Sequence, residues 1–349
     1  MFVTENTQIN KLIIHKVGNS NLNEGVIYSD SCINLKNDSV KNNLLDLFIN
    51  SFKYPEYFSF YHDKSIFNNI VYNNLYDFFY KGANFIETSK KIASYLYEVS
   101  NHPRIKKGDF YFLSLENVIY NNEITNAIGI FKIENYDTFV KVEQNNDLIE
   151  LVSESGINTN KTVDKGCIVF NTDKENGYVV MVVDPSGKGN DAKYWTDIFL
   201  NVKVRANDFL YTSEIMNLCK NYVTEVLPEE FEVSRADQAD ILNKGLDFFK
   251  QEDFFDFDKF SKHVFEQPQV IESFNNFKQN YSTENDIQFK NEFEISDNAV
   301  KKNQRYLRSV IKLDKNFHIY IHGKKELIER GYDAENKMYY YKLFFKDEM

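Results

Sequence analysis

Cysteine is scarce in this chain: only Cys32, Cys167 and Cys219 occur in 349 residues, far apart and with no Cys-x-x-Cys pair. That excludes a disulfide framework and offers no thiolate metal site. Long hydrophobic runs are also missing. No stretch approaches the roughly 20 apolar residues that span a bilayer. The opening MFVTENTQINKLIIHKVGN holds no apolar segment of signal-peptide length, so the expected location is the cytoplasm. Internal repeats and low-complexity segments are absent as well. Finally, there is no excess of positive charge: 41 Lys+Arg stand against 52 Asp+Glu, a net charge of −11. Proteins that coat nucleic acid draw on phosphate neutralisation and are usually basic. The whole-molecule field therefore argues against coating, while a local patch can still override it.

What the chain has in abundance is aromatic carbon. It carries 31 Phe and 23 Tyr within a hydrophobic fraction of 42%. Aromatic side chains bury large areas each, so the core is expected to use fewer and bulkier units than a Leu/Val core. The length fits two domains.

Residues 8–18 (QINKLIIHKVG) read as a first strand ended by Gly18, and 38–50 and 84–100 as helices with apolar residues at helical spacing. The cap of the first helix is expected at Asp38 or Ser39, and the aromatic-rich 51–83 fits neither pattern clearly. From 109 to 184 the pattern changes. DFYFLSLENVIY, NAIGIFKIEN, DTFVKVEQ, DLIELVS, KGCIVFNT and GYVVMVVD are short β-prone runs separated by turns. Short links favour an antiparallel meander, because parallel pairing needs crossover helices. A long helix is expected over 191–226, with Trp195, Ile198, Val202, Ala206, Phe209, Met216, Cys219 and Val223 as one buried stripe, ended by Pro228. Ser234 to Asp237 resembles a capping box opening another helix. Shorter helices follow at 256–266 and 269–280, then one at 297–312, then the strands FHIYIHG and KMYYYKLFF. The expected fold class is α+β. A largely antiparallel sheet with helices fills an N-terminal domain at 1–185. A mainly helical domain at 186–349 ends in a short β hairpin-like pair.

No catalytic or metal constellation is readable, and no cofactor is implied. Ser186-Gly187-Lys188-Gly189 sits where a phosphate-binding loop would. The match to GxxxxGK[ST] fails, since position 182 is Val and position 189 is Gly, which favours a connector. His15, His62, His102 and His263 are isolated. His318 and His322 lie four residues apart on a strand, roughly 13 Å, too far for one metal ion. Both are expected to be exposed, with Phe317, Ile319 and Ile321 facing the core. A nuclease-type cluster of two acids and a Lys on adjacent strands stays open, though nothing singles one out.

One segment departs from the charge of the whole. Residues 301–325 hold Lys301, Lys302, Arg305, Arg308, Lys312, Lys315, Lys324 and Lys325 against a single acid, Asp314, leaving about −18 for the remainder. Lys301, Arg305, Arg308 and Lys312 fall at i, i+4, i+7 and i+11 of the expected helix, a single stripe of cations suited to phosphate or to an acidic partner. The bland alternative is a solvated helix face offsetting Glu292, Glu294 and Asp297. Neither a bidentate base-reading constellation nor an aromatic stacking platform accompanies the stripe, so sequence-specific recognition is not expected.

The order of segments resembles the 37-kDa nucleoid-associated bacterial protein family. The similarity runs through QINKLIIHKVGN, FYFLSLENVIYNNEITNAIGIFKIEN and DPSGKGNDAKYWTDIFLNVKVRANDFL, then VSRADQADILNKGLDFFKQED, FDFDKFSKHVF and NFHIYIHGKKELIERGYDAENKMYYY. The match is nearly end to end and is one of pattern and order, without a catalytic signature. The resemblance implies a bacterial, cytoplasmic protein found with the nucleoid, with no established enzymatic activity and no agreed functional residues. The segment 191–226 carries few basic residues (Lys193, Lys203, Arg205, Lys220), which counts against DNA contact there.

Three functions are therefore expected in turn. The first is a non-enzymatic nucleoid-associated protein, binding DNA weakly and without sequence specificity or reaching it through a DNA-bound partner. The second is an acidic scaffold that regulates chromosome-processing enzymes, its charge attracting their basic surfaces. The third is a metal-dependent nuclease or phosphoesterase. No membrane partner is expected, and oligomeric state is open.

Overall fold

The computed structural model describes residues 2–3, 6–54, 56–121, 123–145, 148–185, 194–285, 287–307, 310–313, 316–320 and 327–347. It divides into two compact units, Met1–Arg205 and Ala206–Met349. The fold class is the α+β arrangement expected from the sequence.

In the first unit the elements run β1 (Phe2–Val3), β2 (Gln8–Val17), β3 (Val26–Ile27), α1 (Asp38–Asn50), β4 (Tyr57–Phe60), α2 (Ile70–Lys81) and α3 (Phe85–Val99). They continue as β5 (Gly108–Tyr120), β6 (Glu123–Ile133), β7 (Asp137–Asn145), β8 (Leu148–Gly156), β9 (Lys165–Phe170), β10 (Val179–Val183) and β11 (Val202–Val204). The sheet order is β11-β4-β10-β9-β6-β5-β2-β3, with β1 beside β5. All its pairings are antiparallel. The meander is not continuous. β7 and β8 pair only with each other as a separate ribbon, and β6 pairs directly with β9.

Helices cover both faces of this sheet. On one side Val71, Leu75, Ile92 and Leu96 from α2 and α3 pack against Phe110, Phe112 and Ile128. On the other, Leu47 and Phe48 of α1 meet Tyr111, Leu113 and Phe131, with Phe48 stacked on Phe131 at 4.2 Å. Burial on both faces explains why β5 reads as an almost unbroken apolar run. The cap of α1 is Asn37, whose side chain accepts the Val40 N–H, one position before the expected Asp38. The segment 51–83, hard to read in the sequence, supplies β4 and α2.

His15 joins β2 to α3 inside the first core and is 1% exposed. Its Nδ1 accepts the Ser29 N–H at 3.0 Å, so Nε2 carries the proton and donates to Ser89 Oγ at 2.9 Å. Burial first, and the nearby Lys90 ammonium second, lower its pKa from 6.5 to about 4. The folded pKa lies below the unfolded one, so this stabilisation is whole above about pH 6.5 and is lost as pH falls through 4. Acid titration of wild type against His15→Gln should show the wild-type stability dropping more steeply between those values, by on the order of 2–3 kcal/mol. Parallel curves would contradict the assignment.

The second unit begins after β11. Its elements are α4 (Asp208–Asn221), α5 (Leu227–Glu230), α6 (Arg235–Gln251), β12 (Phe254–Asp256), α7 (Phe257–Phe265), α8 (Pro268–Asn285), β13 (Glu292–Glu294) and α9 (Asp297–Leu307). Then come β14 (Val310–Leu313), β15 (Phe317–Tyr320), β16 (Ile328–Asp333) and β17 (Met338–Leu343). The capping box is present: the Ser234 hydroxyl accepts the Asp237 N–H and the Asp237 carboxylate accepts the Ser234 N–H. The core is a phenylalanine cluster, with Phe255 stacked on Phe293 at 4.6 Å and on Phe249 at 5.6 Å.

The long helix expected over 191–226 is broken. Tyr194–Leu200 forms a short π-helical segment. Asn201 then takes a left-handed φ of 47°, and Val202–Val204 pairs with β4 as an edge strand. Asn207 starts α4 by accepting the Leu210 N–H. Trp195 is buried in the first unit while Ile198 is 50% exposed, so the eight apolar residues do not make one stripe. The β-branched Val202 and Val204 flank Lys203 and find strand partners in Phe60 and Phe58, contacts no local pattern reveals. The segment 194–204, assigned from the sequence to the helical half, belongs to the first unit.

Candidate nucleic-acid interface

The basic segment begins on α9. Ala299, Val300, Asn303 and Leu307 form the buried side of that helix. The Asn303 amide donates to Ser213 Oγ on α4 and to the Ala299 carbonyl, both at 2.9 Å. Docked this way, α9 turns Lys301 and Arg305 outward, one turn apart and both exposed. Lys302 is half-buried, its ammonium 5.1 Å from the Phe209 ring centre.

The single four-cation stripe does not form. α9 ends at Leu307, and Lys312 lies on β14, opposite His318 of β15. The reason is local. Val310 and Ile311 are β-branched and gain a hairpin partner in Phe317–Tyr320, while Ile311 is buried against Ala239 of α6. Strand pairing with burial outweighs continuing the helix. Arg308, Lys315, Lys324 and Lys325 lie outside the described residues, as do His322 and Ser186-Gly187-Lys188-Gly189. Phe317, expected to face the core, is 66% exposed, whereas Ile319 packs beside Ile311.

The same unit also carries an exposed aromatic pair. The final β pair is β16 with β17, whereas β15 pairs with β14. Ile328 and Tyr341 anchor this hairpin in the small cluster around Ala239 and Ile311. Beyond that anchor, Tyr332 and Tyr339 are cross-strand partners with ring centres 4.9 Å apart. They are 53% and 68% exposed. The Arg330 guanidinium lies 4.5 Å from the Tyr339 centre. A guanidinium beside exposed tyrosine faces is the chemistry that receives unpaired bases or sugar-phosphate backbone. The signal was the MYYYKLFF run, legible as a strand but silent about which rings face water.

A different kind of site lies at the ends of the central strands of the first unit's sheet. Register places Lys132 of β6 directly opposite Lys165 of β9. Like charges opposite each other are unfavourable, and each ammonium has its own carboxylate. Lys132 Nζ sits 2.9 Å from Glu134 Oε1 and donates to the Lys106 carbonyl at 2.6 Å. Lys165 Nζ sits 2.9 Å from Asp184 Oδ1. Asp164 accepts the N–H groups of Glu134 and Asn135 at 2.7 and 3.0 Å. Tyr194 roofs the pair, its ring centre 5.1 Å from Lys165 Nζ and 6.0 Å from Lys132 Nζ, with its hydroxyl 3.4 Å from Glu134 Oε1. Gly166 belongs here because a Cβ would stand 2.4 Å from the Phe131 ring, and its carbonyl accepts the Trp195 indole N–H at 3.3 Å.

Burial pushes the Lys132 ammonium below its ordinary pKa, with Glu134 opposing. Burial also raises the Tyr194 hydroxyl, and the carboxylates of Glu134 and Asp184 add to it. Here two lysines on neighbouring strands meet acids that follow the strand ends. Glu134 and Asp184 are each committed to an ammonium. Among the described residues, no group of three or more His, Cys, Asp and Glu is placed to hold a metal ion. The geometry ties the ends of three strands together.

Residues 13–339 match the family model described as nucleoid-associated protein YejK. No curated protein matches the chain. Among the described residues no helix is long and apolar enough to cross a membrane.

Proposed function

The chain belongs to this nucleoid-associated protein family, and from that premise we propose that it is a non-enzymatic, cytoplasmic component of the nucleoid that touches DNA through residues 301–325. Contact is weak and without sequence preference. The observation that carries the reading is the +7 segment set in a body near −18. Phosphates are attracted to that segment and repelled elsewhere, so the chain rests on a duplex without wrapping it. Exposed Lys301 and Arg305 supply point contacts, and Arg330 on the hairpin of the same unit adds another cation. The committed carboxylates of the Lys132–Lys165 corner fit a structural role there.

The net charge of −11 favours a second reading, in which the acidic body docks on the basic surface of a chromosome-processing enzyme and regulates it. Capture from lysate with and without exhaustive nuclease treatment separates the two. Direct contact predicts that co-purifying chromosomal proteins disappear once DNA is digested. Partners retained at full yield after digestion would replace it with the docking reading.

A further inference from the structure

The ribbon formed by β7 and β8 has its faces the wrong way round for a free hairpin. Val142 pairs with Leu151, Gln144 with Ile149 and Val140 with Ser153. Alternation puts Val140, Val142, Ile149 and Leu151 on one face. They are 70%, 65%, 75% and 75% exposed. The charged residues lie on the other face, where the Lys141 ammonium reaches Glu143 at 2.6 Å and Glu154 at 3.8 Å. An antiparallel pair ordinarily keeps its apolar face on a core and its polar face in water, and a lone two-stranded ribbon is marginal in water. Its base is held to the first unit's loops: Asp137 accepts from Lys161 at 2.7 Å and from Asn158 at 2.8 Å.

We propose that this uncharged face is a homodimer contact, occupied by the same face of a second copy of the chain. Charge and area both point there. The face carries no ionisable group, so identical faces meet with no like-charge penalty, as a two-fold interface requires. It offers nothing to phosphate, and Glu143, Glu150 and Glu154 behind it repel DNA. The four aliphatic side chains expose roughly 400–500 Å² of apolar surface, the scale that marks an interaction site on a monomer. Two faces stacked about 10 Å apart, together with the flanking Thr138, Gln144 and Ser153, reach roughly the 1,200 Å² at which specific interfaces begin. An interface of that size sits at the small end of specific ones, where association is reversible and depends on concentration.

Sedimentation of the full-length chain across about 0.5–100 μM tests this. Wild type is expected to pass from the 41.2 kDa monomer to twice that mass. Val142→Glu/Leu151→Glu is expected to stay monomeric throughout, at least a hundredfold weaker, with the thermal midpoint that wild type shows when dilute and monomeric, because both positions are exposed in the monomer. Mixing that variant with Val142→Lys/Leu151→Lys should restore a dimer, a rescue that only self-recognition of this face produces. Wild type that is monomeric at every concentration, or a dimer that survives the glutamate pair, overturns the proposal.

Discussion

Replacing Lys132 by methionine is expected to lower the stability of the first unit by about 3–5 kcal/mol, the usual cost of leaving half of a buried ion pair behind. The Lys132 side chain is fully buried and that of Glu134 is 11% exposed. Removing the ammonium strands the Glu134 carboxylate under Tyr194 and leaves the Lys106 carbonyl without its donor. Methionine keeps most of the volume, so a cavity contributes little. The second substitution makes the test specific. Lys132→Met/Glu134→Gln removes both charges and should recover most of the loss, staying about 1–2 kcal/mol below wild type for the unpaired carbonyl. Trp195, the single tryptophan, is buried in this corner, so its fluorescence during urea unfolding reports the right unit. A loss below about 1 kcal/mol in the single variant would mean that water screens the pair.

Charge reversal of the basic segment should have the largest effect on binding. Arg305→Glu/Arg308→Glu changes the segment from +7 to +3, since each reversal moves the charge by two. Affinity for random-sequence duplex at about 50 mM salt is expected to fall roughly 10- to 100-fold, with the salt slope shallower by about 2. Arg305 is exposed on α9, away from the side that Asn303 and Leu307 bury, and unchanged circular dichroism shows that the variant is folded. Equal affinity for wild type and variant would place the contact elsewhere. Substituting Tyr339 by alanine then asks whether the hairpin contributes.

Most elements were legible because burial leaves periodic marks. The strands from 108 to 183 alternate or run apolar, and the capping box at Ser234 announces α6. The errors share one cause. Val202–Val204 and Val310–Leu313 are short β-branched runs beside helices, and their apolar residues also satisfy helical spacing. Their strand character comes from β4 and β15, partners that a local window does not contain. The same holds for β7 and β8: the sequence shows two more strands, but only pairing reveals that β6 bypasses them to reach β9.

The candidate sites divide along the same line. The cations of 301–325 were legible because net charge is a property of composition. Their stripe was not, because it depended on a helix that stops at Leu307. The Lys132–Lys165 corner was invisible: a lysine within NAIGIFKIEN reads as one charge in a strand until register sets it against another. The Tyr332–Tyr339 ladder likewise needed the register of β16 with β17.

A limited set of cations on an acidic protein is proposed to make direct, sequence-independent contact with DNA. The most direct test is the affinity of the purified chain for two unrelated duplexes, measured by fluorescence anisotropy between about 20 and 200 mM salt. Direct contact gives measurable binding at low salt, the same for both sequences, with log K falling linearly with log salt at a slope of about −3 to −6. Absence of binding at 20 mM salt, or an affinity indifferent to salt, would contradict it.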